Sequence, residues 1–512
     1  MSSINPSFYQ AIKNVDFSTI KHCIENAILN KQGHALAKEI AADPSYGMYV
    51  SRLLPILQSS DQEQFAEAGL DRVLIQLSQR LVPIAVVATL RMGHGLFVIA
   101  GCRPSNSKVE MMVQTFDGRW IHRELKQQPS KFPKGRHVEG LMGFNYGFIG
   151  VFHIEGDDAI QNIWVNGFSV DFVIQNLEEA AFLDQVDDLL HLCRHIHVPL
   201  NKLPEILDDG LFSLVCRLRD PLRNSTAWAE FVSQDEMIGP PVVEPKITVV
   251  IPLFRSWMLF IQGHFAAFSL DPSFCCGNIE ILYVVDDPEI EMDVIEWIRN
   301  HGSYMPFSIR IVSLRRNMGF GMACNIGVHV ARSDFVVLMN SDVFPDSSGW
   351  VDRLLSRLHS NAGSLVAPFL TYETGNVQHC GMHLAFSGAK DVQIPCNYHH
   401  FKGVNSDKVR LHFDQEGVNE SPVLSGAVLS FRKEDFVDVG GFDPLFGRGD
   451  FEDLELSLRW KRLCGPLLID SLVNLHHLER QSMNIDDSDL KTWRGRFNAL
   501  CAIRLFPEMV HC

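Results

Sequence analysis

Five short clusters in the C-terminal half of the chain have residue types and spacing suited to chemistry. Asp286-Asp287 and Asn340-Ser341-Asp342 each close an apolar run. A carboxylate at a strand end can accept from a base or a ribose hydroxyl. A second can hold a divalent cation through oxygen ligands. That cation can neutralise a diphosphate and stabilise it as a leaving group. Asn317-Met318-Gly319-Phe320-Gly321 comes just before a helical pattern, and its glycines let backbone approach a ligand closely. Asp450-Phe451-Glu452-Asp453 opens another helical pattern, in which Leu454, Leu456 and Leu458 intermix with acids. A carboxylate at a helix N-terminus is favoured by the dipole and stays ionised, which suits a general base near neutral pH. Asn474-Leu475-His476-His477 follows the strand-like Leu467 to Val473. A neutral imidazole there can complete a metal site.

These clusters need a scaffold, and the surrounding pattern supplies one. Ile247 to Ile251, Ile279 to Val285, Ser308 to Val312 and Phe335 to Met339 read as buried strands. Helical spacing separates them: Ile290, Val294 and Trp297 in 289–300, then Met322 to Ala331. Alternating strands and helices predict an open, mostly parallel α/β sheet. Ligands bind beyond the carboxyl ends of such strands, so Asp286-Asp287 and Asn340-Ser341-Asp342 should share one crevice.

The rest of the 512-residue chain bounds the answer. That length suggests roughly three domains. With 45 Lys+Arg against 61 Asp+Glu the net charge is −16, which argues against binding nucleic acid mainly by phosphate neutralisation. The N-terminus shows no signal-peptide pattern, and no apolar run is long enough to span a membrane. The 12 cysteines are scattered without CxxC, which reads as reduced thiols in a cytosolic protein and not as a zinc site. Residues 1–82 read as a helical segment, with Leu70, Val73, Leu74 and Leu77 as one stripe. Residues 83–170 read as a small β-sandwich, with a hairpin at Asp117-Gly118. Residues 171–245 read as a helical connector with Phe182, Val186, Leu189 and Cys193 on one face, then a Pro-rich linker from Ser233 to Pro245. His191 and His195 have chelating spacing, with His197 nearby, but lack the carboxylate of an HExxH pattern. They are read as surface or packing residues.

In their shared order these motifs resemble family 2 glycosyltransferases of the GT-A fold, over residues 246–485. The marks are Ile251-Pro252, Val285-Asp286-Asp287, Asn317-x-Gly-Phe-Gly with Asn325-x-Gly327, Asn340-Ser341-Asp342, Ser425-Gly426-Ala427, Gly440-Gly441-Phe442-Asp443 and Phe451-Glu452-Asp453. The Gly-Phe-Gly segment and the Asn-x-Asp triplet are most similar to the rhamnosyltransferase and galactofuranosyltransferase branch. The resemblance implies a Rossmann-like α/β domain, preceded by the helical segment and the β-sandwich, with residues 486–512 as a helical tail.

By the same resemblance Leu253, Phe254, Asp286 and Asp287 line the nucleoside pocket, with Asn317, Gly319, Asn325, Asn340 and Ser341 on the nucleotide sugar. Asp342 and His476 hold Mn²⁺ or Mg²⁺, with neighbouring His477 the alternative to His476, Asp453 is the general base, and Gly426 and Glu452 lie beside the acceptor. The implied reaction is inverting transfer from a UDP- or dTDP-sugar to a hydroxyl of a glycan, lipid-linked glycan or protein, as in polysaccharide biosynthesis. The expected setting is cytoplasmic, with peripheral membrane association and homo-oligomerisation left open. Three departures stand out. Asn340 replaces the first aspartate of the metal motif, Leu253 and Phe254 replace polar and tyrosyl residues, and Pro288-Glu289 replaces Gly-Ser. Asn340 also supports the alternative of a glycan- or nucleotide-sugar-binding scaffold with a degenerate transferase domain. A nucleotidyltransferase is disfavoured, because Pro252-Leu253-Phe254-Arg255 offers no Gly-rich phosphate loop.

Overall fold

The computed structural model describes residues 85–507 apart from 93–94, 104–108, 126, 130–145, 155–159, 167, 171, 173, 178–181, 196–199, 226–227, 243, 388–393, 414–415, 448 and 480–487. The helical lead over 1–82 lies outside the described residues, as does His197. The chain divides into two compact units between Leu218 and Arg219.

In the first unit, β1 (Ala85–Met92), β2 (Leu96–Arg103), β5 (Gln127–Pro129), β6 (Tyr146–His153) and β9 (Ile174–Asn176) form one sheet. A second sheet holds β3 (Val109–Thr115), β4 (Trp120–Leu125), β7 (Ile160–Val165) and β8 (Phe168–Val170). Phe97, Ile99, Phe148 and Phe152 from the first share a core with Met111, Val113, Ile163 and Val165 from the second. Asp117-Gly118 lies in the turn joining β3 to β4, and Gly118 takes φ 83°. Strands extend past residue 170 to Asn176 before helix α1 (Phe182–His195) begins. Phe182, Val186, Leu189 and Cys193 are buried on α1, while His191 is exposed beside Arg194.

The second unit is built on one large sheet. Its strands are β10 (Val232–Ile238), β11 (Ile247–Leu253), β12 (Ile279–Val285), β13 (Ile309–Leu314), β14 (Phe335–Met339), β15 (Val343–Pro345), β16 (Leu365–Thr371), β21 (Val428–Arg432) and β22 (Leu467–His477), in the order β10-β13-β12-β11-β14-β21-β16-β22-β15. The short β17 (Val377–His379) adds to β16 and β20 (Val418–Glu420) to β22. A separate hairpin pairs β18 (Met382–Ser387) with β19 (Ile394–His399).

Two expectations change here. The sheet is mixed rather than mostly parallel. β13, β12, β11 and β14 run parallel, and so do β16 and β22, but β10, β21 and β15 are each antiparallel to their neighbours. The segment read as a linker also contains β10, which pairs antiparallel with β13. Its burial alternates over Val232 to Met237, the mark of an edge strand with one wet face. The prolines and Gly239 that suggested a linker follow this strand and end it.

The central strands are apolar on both sides because both faces are covered. Val249, Ile251, Leu253, Ile281, Tyr283 and Val285 belong to one core, with helices α2 (Met258–Ser269), α3 (Glu291–Gly302) and α5 (Trp350–Ser360). Val250, Leu282 and Val284 face the other, under α4 (Phe320–Val330) and α6 (Glu452–Leu463). Helix α4 approaches the sheet through Gly327. A Cβ there would collide with Val250 and lie 2.9 Å from Val284 Cγ2. Gly327→Ala is therefore expected to destabilise the domain by about 1–3 kcal/mol through overpacking, seen as a lower urea midpoint at unchanged slope.

Candidate functional site

The carboxyl ends of β11, β12 and β14 open into one cavity of about 730 Å³. Leu253 lines it as the last residue of β11, Phe254 directly after it, and Asp286 directly after β12. The Asp286 carboxylate accepts from the Met318 N–H at 2.6 Å, which fixes the loop that presents Asn317 and Gly319. Gly319 has φ 78° and stands at the N-terminus of α4. Asn340, Ser341 and Asp342 line the cavity after β14, and the Asn340 N–H continues that strand's pairing by donating to Ala427 O at 2.8 Å. The turn after Asp342 is held from below by His264, whose Nε2 meets Val343 O at 3.1 Å while Nδ1 faces the Tyr283 hydroxyl at 3.3 Å. Burial lowers the His264 pKa to about 4, so the ring is neutral. Nε2 then donates to the carbonyl and Nδ1 accepts from tyrosine.

Asp453 sits in the first turn of α6. Its Oδ1 accepts from the Leu454 N–H at 2.8 Å and its Oδ2 from the Gly426 N–H at 3.3 Å. Burial lifts its pKa to about 6, against those two N–H groups, which favour the ionised form. Glu452 beside it is pushed well up, first by burial and then by the Asp453 and Asp450 charges. Two adjacent carboxyls with separated proton affinities are an arrangement for acid–base work.

The structure brings together Leu253, Phe254, Asp286, Asn317, Gly319, Asn340, Ser341, Asp342, Gly426, Glu452 and Asp453. Three expected residues fall outside the cavity lining. Asp287 turns to its own loop and accepts from the Glu289 N–H at 3.0 Å. Asn325 exchanges two 2.8 Å hydrogen bonds with the backbone of Phe442, so it pins the Gly440-Gly441-Phe442 turn. His476 points to Thr371 Oγ1 at 2.9 Å and to Asp346 Oδ1 at 3.2 Å. It is His477 that lines the cavity, with Nε2 3.3 Å from Asp342 Oδ1. The reason is strand alternation. Val473, Leu475 and His477 share the buried side of β22, and Asn474 and His476 the more open one.

Several lining residues carried no motif. Gln378, Asn397, Tyr398, His399 and Lys402 come from β17, β19 and the turn beyond it, and Lys491 and Arg494 from α7 (Ser488–Leu505). The readable signal was Asn397-Tyr398-His399-His400, a strand-length run too polar for a buried interior. Among the described residues, Asn340 Oδ1, Gln378 Oε1, Asn397 Oδ1, Glu452 Oε2 and His477 Nδ1 are buried, border this cavity and have no hydrogen-bond partner. Buried polar atoms normally find partners, so a concentration of orphans in one cavity is a demand for a polar ligand. No set of three His, Cys, Asp or Glu among the described residues converges on a metal position. No helix among them is long and apolar enough to cross a membrane.

Residues 249–427 match the model of the family "Glycosyl transferase family 2". An uncharacterized protein, y4gI, of Sinorhizobium fredii is 25% identical over 223 residues, covering 43% of this chain and 23% of its own length. Polypeptide N-acetylgalactosaminyltransferase 12 of Mus musculus is 23% identical over 231 residues, covering 44% of this chain and 38% of its own. This chain thus spans well under half the length of these curated relatives. A crystal structure of GalNAc-T7 with UDP, GalNAc and Mn²⁺ aligns at TM-score 0.39 and 14% identity, over 52% of this chain and 50% of that one. The matched residues carry most of β11, with β12, β14 and the Asn340-Ser341-Asp342 triplet, whereas Glu452, Asp453 and His477 lie beyond them.

Proposed function

We propose that the second unit transfers a sugar from a nucleoside diphosphate donor to an acceptor hydroxyl with inversion. The observation that carries this reading is the single cavity in which Asp286, Asp342, His477 and Asp453 meet beside the unpartnered polar atoms. Asp286 and the loop it fixes face the nucleoside. Asp453 accepts the proton of the acceptor hydroxyl. The acceptor oxygen then forms its bond to the anomeric carbon as the bond from that carbon to the diphosphate oxygen breaks, and the nucleoside diphosphate leaves. A base whose pKa is about 6 is ionised at neutral pH and still basic enough to assist.

The donor set at Asp342 and His477 fits a divalent cation. A carboxylate and an imidazole lie 3.3 Å apart on the cavity wall and would hold Mn²⁺ or Mg²⁺ there. Bound there, the ion would neutralise the leaving diphosphate. The acceptor is read as a glycan, lipid-linked glycan or protein hydroxyl.

The test is a panel of sugar nucleotides with Mn²⁺, read as release of nucleoside diphosphate. Turnover of one donor supports the reading. Folded protein that binds a donor by calorimetry and turns over none overturns it.

A further inference from the structure

The carboxylate assigned as base stands on an uncommon stretch of backbone. Gly449, Asp450 and Phe451 have φ of 93°, 68° and 75° in succession. Glycine adopts such angles readily. Asp450 and Phe451 do not, and each left-handed non-glycine residue costs about 1–3 kcal/mol unless its surroundings hold it. A phenylalanine there is a marked outlier. This turn leads straight into α6. The Phe451 carbonyl accepts from the Glu455 N–H at 3.0 Å, an early hydrogen bond of that helix, and Asp453 lies between the two.

One side chain holds the turn from outside. Asn498 on α7 is buried, and its Nδ2 donates to Gly449 O and to Asp450 O, both at 2.9 Å. A single amide therefore ties two successive peptide planes of the strained segment. Helix α7, the turn and Asp453 all lie beyond residues 249–427.

We propose that Asn498 is a positioning residue: it locks the Gly449–Phe451 turn in its left-handed form and thereby sets where the Asp453 carboxylate lies against the Gly426 N–H. The inference rests on the reading of Asp453 as base. Without the amide, Asp450 and Phe451 can relax to negative φ. The first turn of α6 then rotates and the carboxylate loses the Gly426 N–H and turns toward water.

The experiment uses the full chain and the variants Asn498→Ala, Asn498→Asp and Asn498→Gln. Hydrogen exchange needs no substrate. In the Ala and Asp variants, peptides over 424–428 and 449–456 should exchange at least about tenfold faster while β11 and β12 keep their protection. The Gln variant, which keeps the amide, should lie closer to the native chain. With the donor found in the panel, kcat should fall about 10–100-fold at nearly constant donor KM. The acid limb of the kcat–pH profile should move to lower pH. In an Asp453→Asn background, Asn498→Ala should remove no further turnover, because both act through one carboxylate. Unchanged exchange at both segments overturns the proposal, and so does an equal loss of kcat in the Asp453→Asn background. If Asn498→Ala does not fold, the Asp and Gln variants carry the same comparison. A silent donor panel refutes the base assignment, whereas exchange still decides whether Asn498 holds the turn.

Discussion

Asparagine at position 453 is expected to lower kcat by about 10²–10⁴-fold while donor affinity stays within about twofold. The asparagine oxygen can keep the Leu454 N–H bond that Oδ1 accepts, while its amide nitrogen replaces Oδ2 and gives up the longer Gly426 N–H contact. What disappears is the capacity to take a proton. The same substitution also removes a cost that the native carboxylate carries at neutral pH. The Asp453 pKa is raised from 3.8 to about 6, so the unfolded chain ionises this group more easily than the folded one. Between pH 4 and 6 the native state binds the extra proton, and stability from this group falls as pH rises. Above pH 6 the full cost of holding the anion is present. A shift of about two units corresponds to at most about 3 kcal/mol, and partial solvation reduces it to about 1–2. Melting curves should therefore place Asp453→Asn more favourably against the native chain at pH 7.5 than at pH 4.5. Native turnover should rise through a single ionisation near pH 6. Wild-type kcat in the asparagine variant would remove Asp453 from the mechanism.

The second large effect separates two adjacent histidines. His477→Ala is expected to raise the Mn²⁺ concentration for half-maximal turnover by at least about tenfold, since even groups behind metal ligands cost 10–100-fold. His476→Ala should stay within about twofold of native by the same measure. It removes contacts to Thr371 and Asp346, neither of which lines the cavity. Mn²⁺ binding followed by electron paramagnetic resonance, with UDP present, checks the assignment without turnover. The opposite ranking would return the metal to His476.

The site was legible where chemistry and strand ends coincide. Leu253, Asp286, Asn340 and Asp342 each follow a run of buried apolar residues, and a parallel strand of that kind delivers its C-terminal neighbour to the crevice. Asp453 was legible from the acids that open a helix carrying Leu454, Leu456 and Leu458. The choice between His476 and His477 was also legible, since Val473 and Leu475 mark the buried parity of β22, which His477 shares. Asn325 was not decidable from sequence. Its partner, the Phe442 backbone, is 117 residues away. Nor was β10, because the prolines beyond it dominate the local composition. Tyr398 and Lys491 reach the cavity only through the packing of a hairpin and a late helix, which no local periodicity encodes.

Helix α7 gives the site a place in time as well as in space. Lys491 and Arg494 wall the cavity, and Asn498 holds the turn before Asp453. Synthesis runs from the N-terminus at about 5–20 residues per second. The central strands can therefore pair while the ribosome is still reading downstream codons. The constellation around Asp453, however, stays unfinished until residues beyond 498 have cleared the exit tunnel. A nascent chain is therefore expected to acquire its fold before its reactivity.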